Sequence, residues 1–120
     1  MSRRVLVVDD HAGFRTLARR LLEADGWNIV GEAWDGASAV ATAAALRPDV
    51  VLIDIGLPDV DGFIVADRVA MIGSPDIVLV SSRDREAYGD RITSSVAVGF
   101  IAKVDLDGDR LRTLLATVRR

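Results

Sequence analysis

Arg4-Val5-Leu6-Val7-Val8-Asp9-Asp10 passes from a nearly continuous apolar, β-branched run straight into two adjacent carboxylates. The run is too short for a buried helix and lacks the alternation of a half-exposed strand, so it reads as a strand covered on both faces. Strands of that kind belong to parallel sheets, whose crossovers lay helices on either side. Runs at 49–53, 76–80 and 98–102 have the same character. A further run at 28–34, Asn28-Ile29-Val30-Gly31-Glu32-Ala33-Trp34, is broken by Gly31 and Glu32 and is the expected edge strand.

The segments between these runs change to a helical period. Phe14, Leu17, Ala18, Leu21 and Leu22 form one stripe, stopped by Gly26, and Leu111, Leu114, Leu115 and Val118 form another, with Asp107 or Asp109 to cap it. Residues 37–46 are alanine-rich and end before Pro48, and Phe63, Ala66, Val69 and Ala70 make a stripe after Gly62. Residues 84–95 carry only Tyr88 and Ile92 as large apolar groups among charges, which predicts a marginal, mobile helix. The sum is five βα units: an α/β fold with a doubly wound, five-stranded parallel sheet in the order 2-1-3-4-5, a flavodoxin-like (βα)5 sandwich. No linker, charge run or repeat divides the chain, so one domain over residues 1–120 is expected.

Composition removes several classes of function. Of the 120 residues 50% are hydrophobic and 28% charged, an ordinary globular balance. There is no cysteine, hence no disulfide, thiolate metal site or thiol nucleophile, and the single histidine, His11, excludes multi-histidine zinc and iron sites. A net charge of −3 has the wrong sign for holding nucleic acid through its phosphates. No apolar stretch approaches membrane-spanning length and no signal-peptide pattern opens the chain, so a cytoplasmic location is expected. The basic residues are fourteen arginines and one lysine, Lys103.

In an open parallel sheet the ligand site lies outside the carboxyl ends of the strands. Reading off the residue after each run yields Asp9 and Asp10, then Asp54, then Ser81 and Ser82, then Lys103. Singly, each has a bland role, because aspartate and serine commonly cap the next helix. Together, three crowded carboxylates raise one another's proton affinity unless a cation sits among them. An oxygen-only donor set suits Mg²⁺, and Mg²⁺ with Lys103 and the Ser81 hydroxyl would neutralise a phosphoryl group attacked by Asp54. Spaced glycines of a dinucleotide fold, a glycine-rich phosphate loop and a nucleophile elbow are all missing from the chain.

With these motifs assembled, Val7-Val8-Asp9-Asp10, the stretch Asp54-Ile55-Gly56-Leu57-Pro58-Asp59-Val60-Asp61-Gly62, Val80-Ser81-Ser82 and Gly99-Phe100-Ile101-Ala102-Lys103, the chain resembles a receiver domain of the two-component response-regulator family over essentially its whole length. The resemblance implies Asp54 as phosphoacceptor, Asp9 and Asp10 as the acidic pair holding Mg²⁺ with Asp10 the direct ligand, and the backbone carbonyl of Gly56 as a further ligand. It implies Ser81 as the switch hydroxyl, Phe100 as the switch aromatic and Lys103 as the site lysine. A sensor histidine kinase is the implied phosphodonor, with an output domain, a homodimer partner or transcription control downstream. No enzyme activity is implied beyond self-phosphorylation and slow autodephosphorylation. Asp9-Asp10-His11 with Phe14-Arg15 is similar to receivers coupled to helix-turn-helix outputs, and Arg119-Arg120 hint at continuation of the chain.

Three positions depart from the family's pattern. Val104 stands where a proline often follows the lysine, Val96 where a turn glycine is common, and Ser81 replaces threonine. Gly56 offers no side chain beside the acyl phosphate and Arg83 lies two residues past Ser81, so an intermediate lifetime is expected. Two other readings compete: a receiver-like binding or dimerisation module independent of phosphate, and a phosphatase with an aspartyl intermediate, which would need a cap the chain has no sequence to supply.

Overall fold

The computed structural model describes residues 3–118. Five parallel strands, β1 (Arg4–Val8), β2 (Asn28–Ala33), β3 (Val50–Asp54), β4 (Asp76–Ser81) and β5 (Gly99–Ala102), pair in the order β2-β1-β3-β4-β5. Four α-helices cross over between them or close the chain: α1 (Ala12–Ala24), α2 (Gly36–Leu46), α3 (Gly62–Ala70) and α4 (Gly108–Ala116). The α/β fold and strand order expected from the sequence are those observed. Arg119 and Arg120 lie outside the described residues.

Strand side chains alternate between two apolar layers, and that is why continuous apolar runs are required. Leu6, Val8, Val51, Ile53, Ile77 and Leu79 meet Ala39, Ala43, Phe63, Ala66 and Val69 of α2 and α3. Val5, Val7, Val50, Leu52, Val78 and Val80 meet Ala18 and Leu22 of α1 and Leu111 and Leu115 of α4 on the other side. The broken run is at the edge as expected: β2 pairs with β1 alone, and a register shift between Val5 and Leu6 passes over Val30, so that Gly31 pairs with Leu6. Glu32 is answered by Arg15 at 3.1 Å and Arg19 at 2.9 Å. Leu17, assigned to the buried stripe of α1, is instead 47% exposed.

The helix ends follow local chemistry. Gly26, at φ 91°, takes the left-handed conformation past α1, and its N–H reaches the Glu23 carbonyl while that of Trp27 reaches Leu22, a Schellman closure. Asp35 and Ser38 form a reciprocal capping box on α2. Asp107, one of the two expected caps, accepts from the Arg110 N–H at 2.7 Å.

The expected helix over 84–95 is absent. A 3-10 segment spans Arg85–Arg91 in its place, interrupted at Gly89, whose φ of 56° and ψ of −131° lie outside any helical region. The charged positions of this stretch contribute no apolar face, and Ile92 is its one deeply buried anchor. Val96 does not demand the glycine conformation: among the described residues the non-glycine positions with positive φ are Arg47 and Ser74. No cis peptide bond occurs among them either, consistent with valine at 104.

At Gly62 a side chain is forbidden by crowding against backbone. A Cβ there would lie 2.5 Å from the Asp54 carbonyl oxygen and 2.6 Å from Ile55 Cα, both backbone atoms. We expect Gly62→Ala to destabilise the fold by about 1–3 kcal/mol through overpacking. Gly13→Ala in α1, where a Cβ meets nothing within 4 Å, should stabilise it by roughly 0.5–1 kcal/mol. Urea unfolding midpoints of the two variants check both signs.

Candidate functional site

The parallel sheet delivers Asp9, Asp54, Ser81 and Lys103 to one edge, each at or just past the carboxyl end of β1, β3, β4 and β5. Both buried aspartates use one oxygen to shape their own turn. Oδ1 of Asp9 accepts from the His11 N–H at 2.8 Å, and Oδ1 of Asp54 accepts from the Gly56 N–H at 3.1 Å. The bland turn-forming role is therefore real, and it is only half of what each carboxylate does.

The second oxygens face Lys103. Its Nζ lies 2.6 Å from Oδ2 of Asp9 and 3.5 Å from Oδ2 of Asp54. The approach to Asp9 is an ion pair outside hydrogen-bonding angles, so Oδ2 of Asp9, in a residue with no exposed surface, has no hydrogen-bond partner. The lysine stem is held in turn: Nζ sits 4.6 Å from the centroid of the Phe14 ring. Arg15 donates to the Asp9 backbone carbonyl at 2.6 Å, fixing the turn from the α1 side.

Electrostatics leave the site short of positive charge. Burial pushes the Asp54 carboxyl above its ordinary range; the Gly56 N–H pulls it down, Asp9 pushes it up, and Lys103 lowers it, with burial prevailing. Asp9, Asp10, His11 and Asp54 each present a ligand atom, all within 4.8 Å of one another. An acidic cluster containing a buried oxygen without a hydrogen bond fits a hard divalent cation. His11 Nδ1 is 3.1 Å from Asp10 and 3.2 Å from Asp9, so the histidine joins the cluster.

Two other carboxylates of the acidic motif after β3 have structural jobs. Asp59 accepts from the Gly36 and Ala37 N–H groups at the start of α2, at 2.7 and 3.2 Å, and the Gly36 bond chiefly holds its carboxyl below the usual range. Asp61 caps α3 through the Phe63 N–H and pairs with Arg91 at 2.8 Å; burial alone would raise its carboxyl, and the Arg91 and Phe63 bonds outweigh it.

Ser81 is at the expected place, buried at the end of β4, but its hydrogen bonds point along its own loop. Its Oγ accepts from the Arg83 N–H at 3.0 Å and lies 2.5 Å from the Tyr88 hydroxyl. Tyr88 was legible only as an apolar anchor; without a helical period in 85–91, nothing in the spacing aims its hydroxyl back at Ser81. Phe100, half-buried on β5, has its ring 6.2 Å from that of Tyr88.

Residues 5–116 match the family described as response regulator receiver domain. The chain belongs to that family. The receiver is similar to response regulator GacA of Pseudomonas viridiflava, 38% identical over 103 residues, which are 83% of this chain and 48% of that protein. It is also 37% identical over 107 residues to a protein-glutamate methylesterase/protein-glutamine glutaminase of Anaeromyxobacter dehalogenans, covering 88% of this chain and 31% of that one. The solved structure of a LuxR-family two-component response regulator from Aurantimonas superposes with a TM-score of 0.85 at 27% identity, covering 99% of this chain and 89% of that chain. The receiver spans about half the length of the curated regulators it matches, at 48%, 49% and 50%. Among its described residues no helix is long and apolar enough to cross a membrane.

The raised Asp54 carboxyl has a thermodynamic consequence. Its folded form holds the proton more tightly than the unfolded chain does, so its contribution to stability is full below the unfolded value and is lost as pH rises through the folded one. Asp54→Asn removes the buried charge while keeping the acceptor for Gly56. The variant should melt higher than the parent at pH 7 in metal-free buffer, with the difference vanishing below about pH 3.9. Calorimetric scans across that range check it.

Proposed function

We propose that the receiver is a phosphorylation switch in which Asp54 accepts a phosphoryl group from a sensor histidine kinase in a Mg²⁺-dependent reaction. The observation carrying this reading is the placement of a buried Asp54 oxygen facing the chain's one lysine, beside a second buried carboxylate whose inner oxygen lacks a hydrogen bond. An oxygen of Asp54 forms a bond to phosphorus as the phosphorus–nitrogen bond of the donor phosphohistidine breaks. The bonding pair leaves with the imidazole nitrogen, which takes a proton from solvent.

The residues divide the work. Oδ1 of Asp54 is occupied by the Gly56 N–H, which orients the carboxylate and leaves Oδ2 as the attacking oxygen. Lys103 neutralises a phosphoryl oxygen as charge accumulates, acting as a compact point charge. Ser81 donates its hydroxyl to a second phosphoryl oxygen once the group is in place. Asp9, Asp10, Asp54 and the Gly56 backbone carbonyl are the residues that would hold Mg²⁺. When bound, the cation supplies neutralisation of the converging carboxylate and phosphoryl oxygens.

Phosphorylation then shifts Ser81 and the Phe100 region, and the change is passed to an output domain or partner in the cytoplasm. Transcription control is the output favoured by the similarity to response regulators, and the chain itself works without reading nucleic acid or embedding in a membrane. As a receiver it performs only its own phosphoryl transfer and slow autodephosphorylation.

Incubation with Mg²⁺ and acetyl phosphate, followed by intact-mass measurement, should add one phosphoryl group to the parent and none to Asp54→Asn. Lys103→Met should slow the addition by about 10²-fold, the order for removing one charged stabiliser of a transferring group. A parent that never gains mass would instead support the phosphate-independent binding module, and rapid phosphate release from many esters would support a phosphatase. The side of Gly56 toward the acceptor is open, a Cβ there meeting only Oδ1 of Asp54 at 3.9 Å. Gly56→Arg should therefore lengthen the life of the phosphorylated form by shielding the phosphorus, read as the decay of the added mass.

A further inference from the structure

The hydroxyl of Ser81 has a partner that the proposed reaction does not use. Tyr88 Oη lies 2.5 Å from Ser81 Oγ, and the same Oγ accepts from the Arg83 N–H. A serine hydroxyl has one proton and two lone pairs. With Arg83 on one lone pair, the short bond to Tyr88 takes either the Ser81 proton or the remaining lone pair, and when Ser81 is the donor its one proton is committed to Tyr88, with none left for another acceptor. Phe100, the aromatic on β5, has no hydroxyl and makes no such bond.

Tyr88 is itself held in place by rings. Phe63 lies edge-on to it at 6.0 Å between centroids, and Phe100 is tilted against it at 6.2 Å. The Arg91 guanidinium covers the far face of this group, 4.2 Å from the Phe63 centroid, while pairing with Asp61. The backbone that carries Tyr88 is the interrupted 3-10 segment, with the non-helical Gly89 immediately after it. The tyrosine is thus fixed through its ring and carried on backbone whose helical course breaks at the next residue.

We propose that Tyr88 is a positioning residue that holds the Ser81 hydroxyl away from Asp54 until a phosphoryl group competes for it. This rests on the reading of Asp54 as phosphoacceptor. A phosphoryl oxygen is an anionic acceptor, and a hydrogen bond to it is about twice as strong as the neutral one to tyrosine. Ser81 therefore changes partner on phosphorylation, and the Tyr88 hydroxyl is released. Removing that hydroxyl while keeping the ring removes the competition and favours the phosphorylated arrangement.

The protein holds one tyrosine, so tyrosine labelled with ¹³C at Cζ produces a single resonance that reports on this hydroxyl. During phosphorylation by acetyl phosphate and Mg²⁺, that resonance should move in step with the added mass. The unphosphorylated Ser81→Ala variant should show it already displaced in the same direction. Tyr88→Phe should accept phosphate about three- to tenfold faster, the range for losing one neutral hydrogen bond, and should make no difference in a Ser81→Ala background. A resonance that stays put in fully phosphorylated protein, or an equal acceleration with and without Ser81, overturns the assignment. A parent that gains no mass overturns the phosphoacceptor reading and this one with it, and the mass measurement tells the two failures apart.

Discussion

One ammonium group set against two buried carboxylates is the interaction on which this molecule turns. Lys103 lies 2.6 Å from Asp9 and 3.5 Å from Asp54, and both acids are buried. Removing Lys103 would be costly, because both acids would be left buried without their cation, whereas Lys103 keeps Asp9 as a partner if Asp54 loses its charge. The cluster nevertheless carries more negative than positive charge, and Asp54 responds by holding its proton more tightly than usual. That unresolved negative charge suits the site to a hard cation and stands out in an otherwise apolar interior.

The sheet is what brings these groups together. Residues 9, 54 and 103 are distant along the chain, and only parallel pairing puts the ends of β1, β3 and β5 at one edge. Parallel pairing in turn requires helices on both faces, hence the two apolar layers and the uninterrupted Val, Leu and Ile runs. Gly62 ties the two levels together, since its missing side chain lets α3 start against the backbone of Asp54. Fold and site share that close approach, so crowding it would disturb both.

Much of this is legible in the chain because the information is local. β1 coincides with its predicted run, and Gly26, Pro48 and Asp107 mark helix ends by conformational preferences that act within a turn. The acids and the lysine are legible because each directly follows an apolar run. Residues 84–95 are not, because neither charge pattern nor propensity distinguishes a weak helix from 3-10 turns, and Gly89 decides the matter through its backbone angles. The Tyr88 to Ser81 bond is invisible for the same reason: it joins residues seven apart across irregular backbone. Leu17 shows the opposite error, a residue in register with its stripe but left outside when the neighbouring layer did not extend to it.

The first helix is anchored at both ends. At its start, Arg15 grips the Asp9 carbonyl; beyond its end, Asp25 receives the Gly108 N–H at 2.9 Å and the Trp27 indole donates to the Gly108 carbonyl at 3.2 Å, fastening it to α4. An element pinned at each terminus resists displacement. The side of the sheet beyond β4 lacks such a clamp, because short irregular turns replace a helix there. One side of the sheet is thus tied down through both ends of a helix, while the other hangs on single side chains set in irregular backbone.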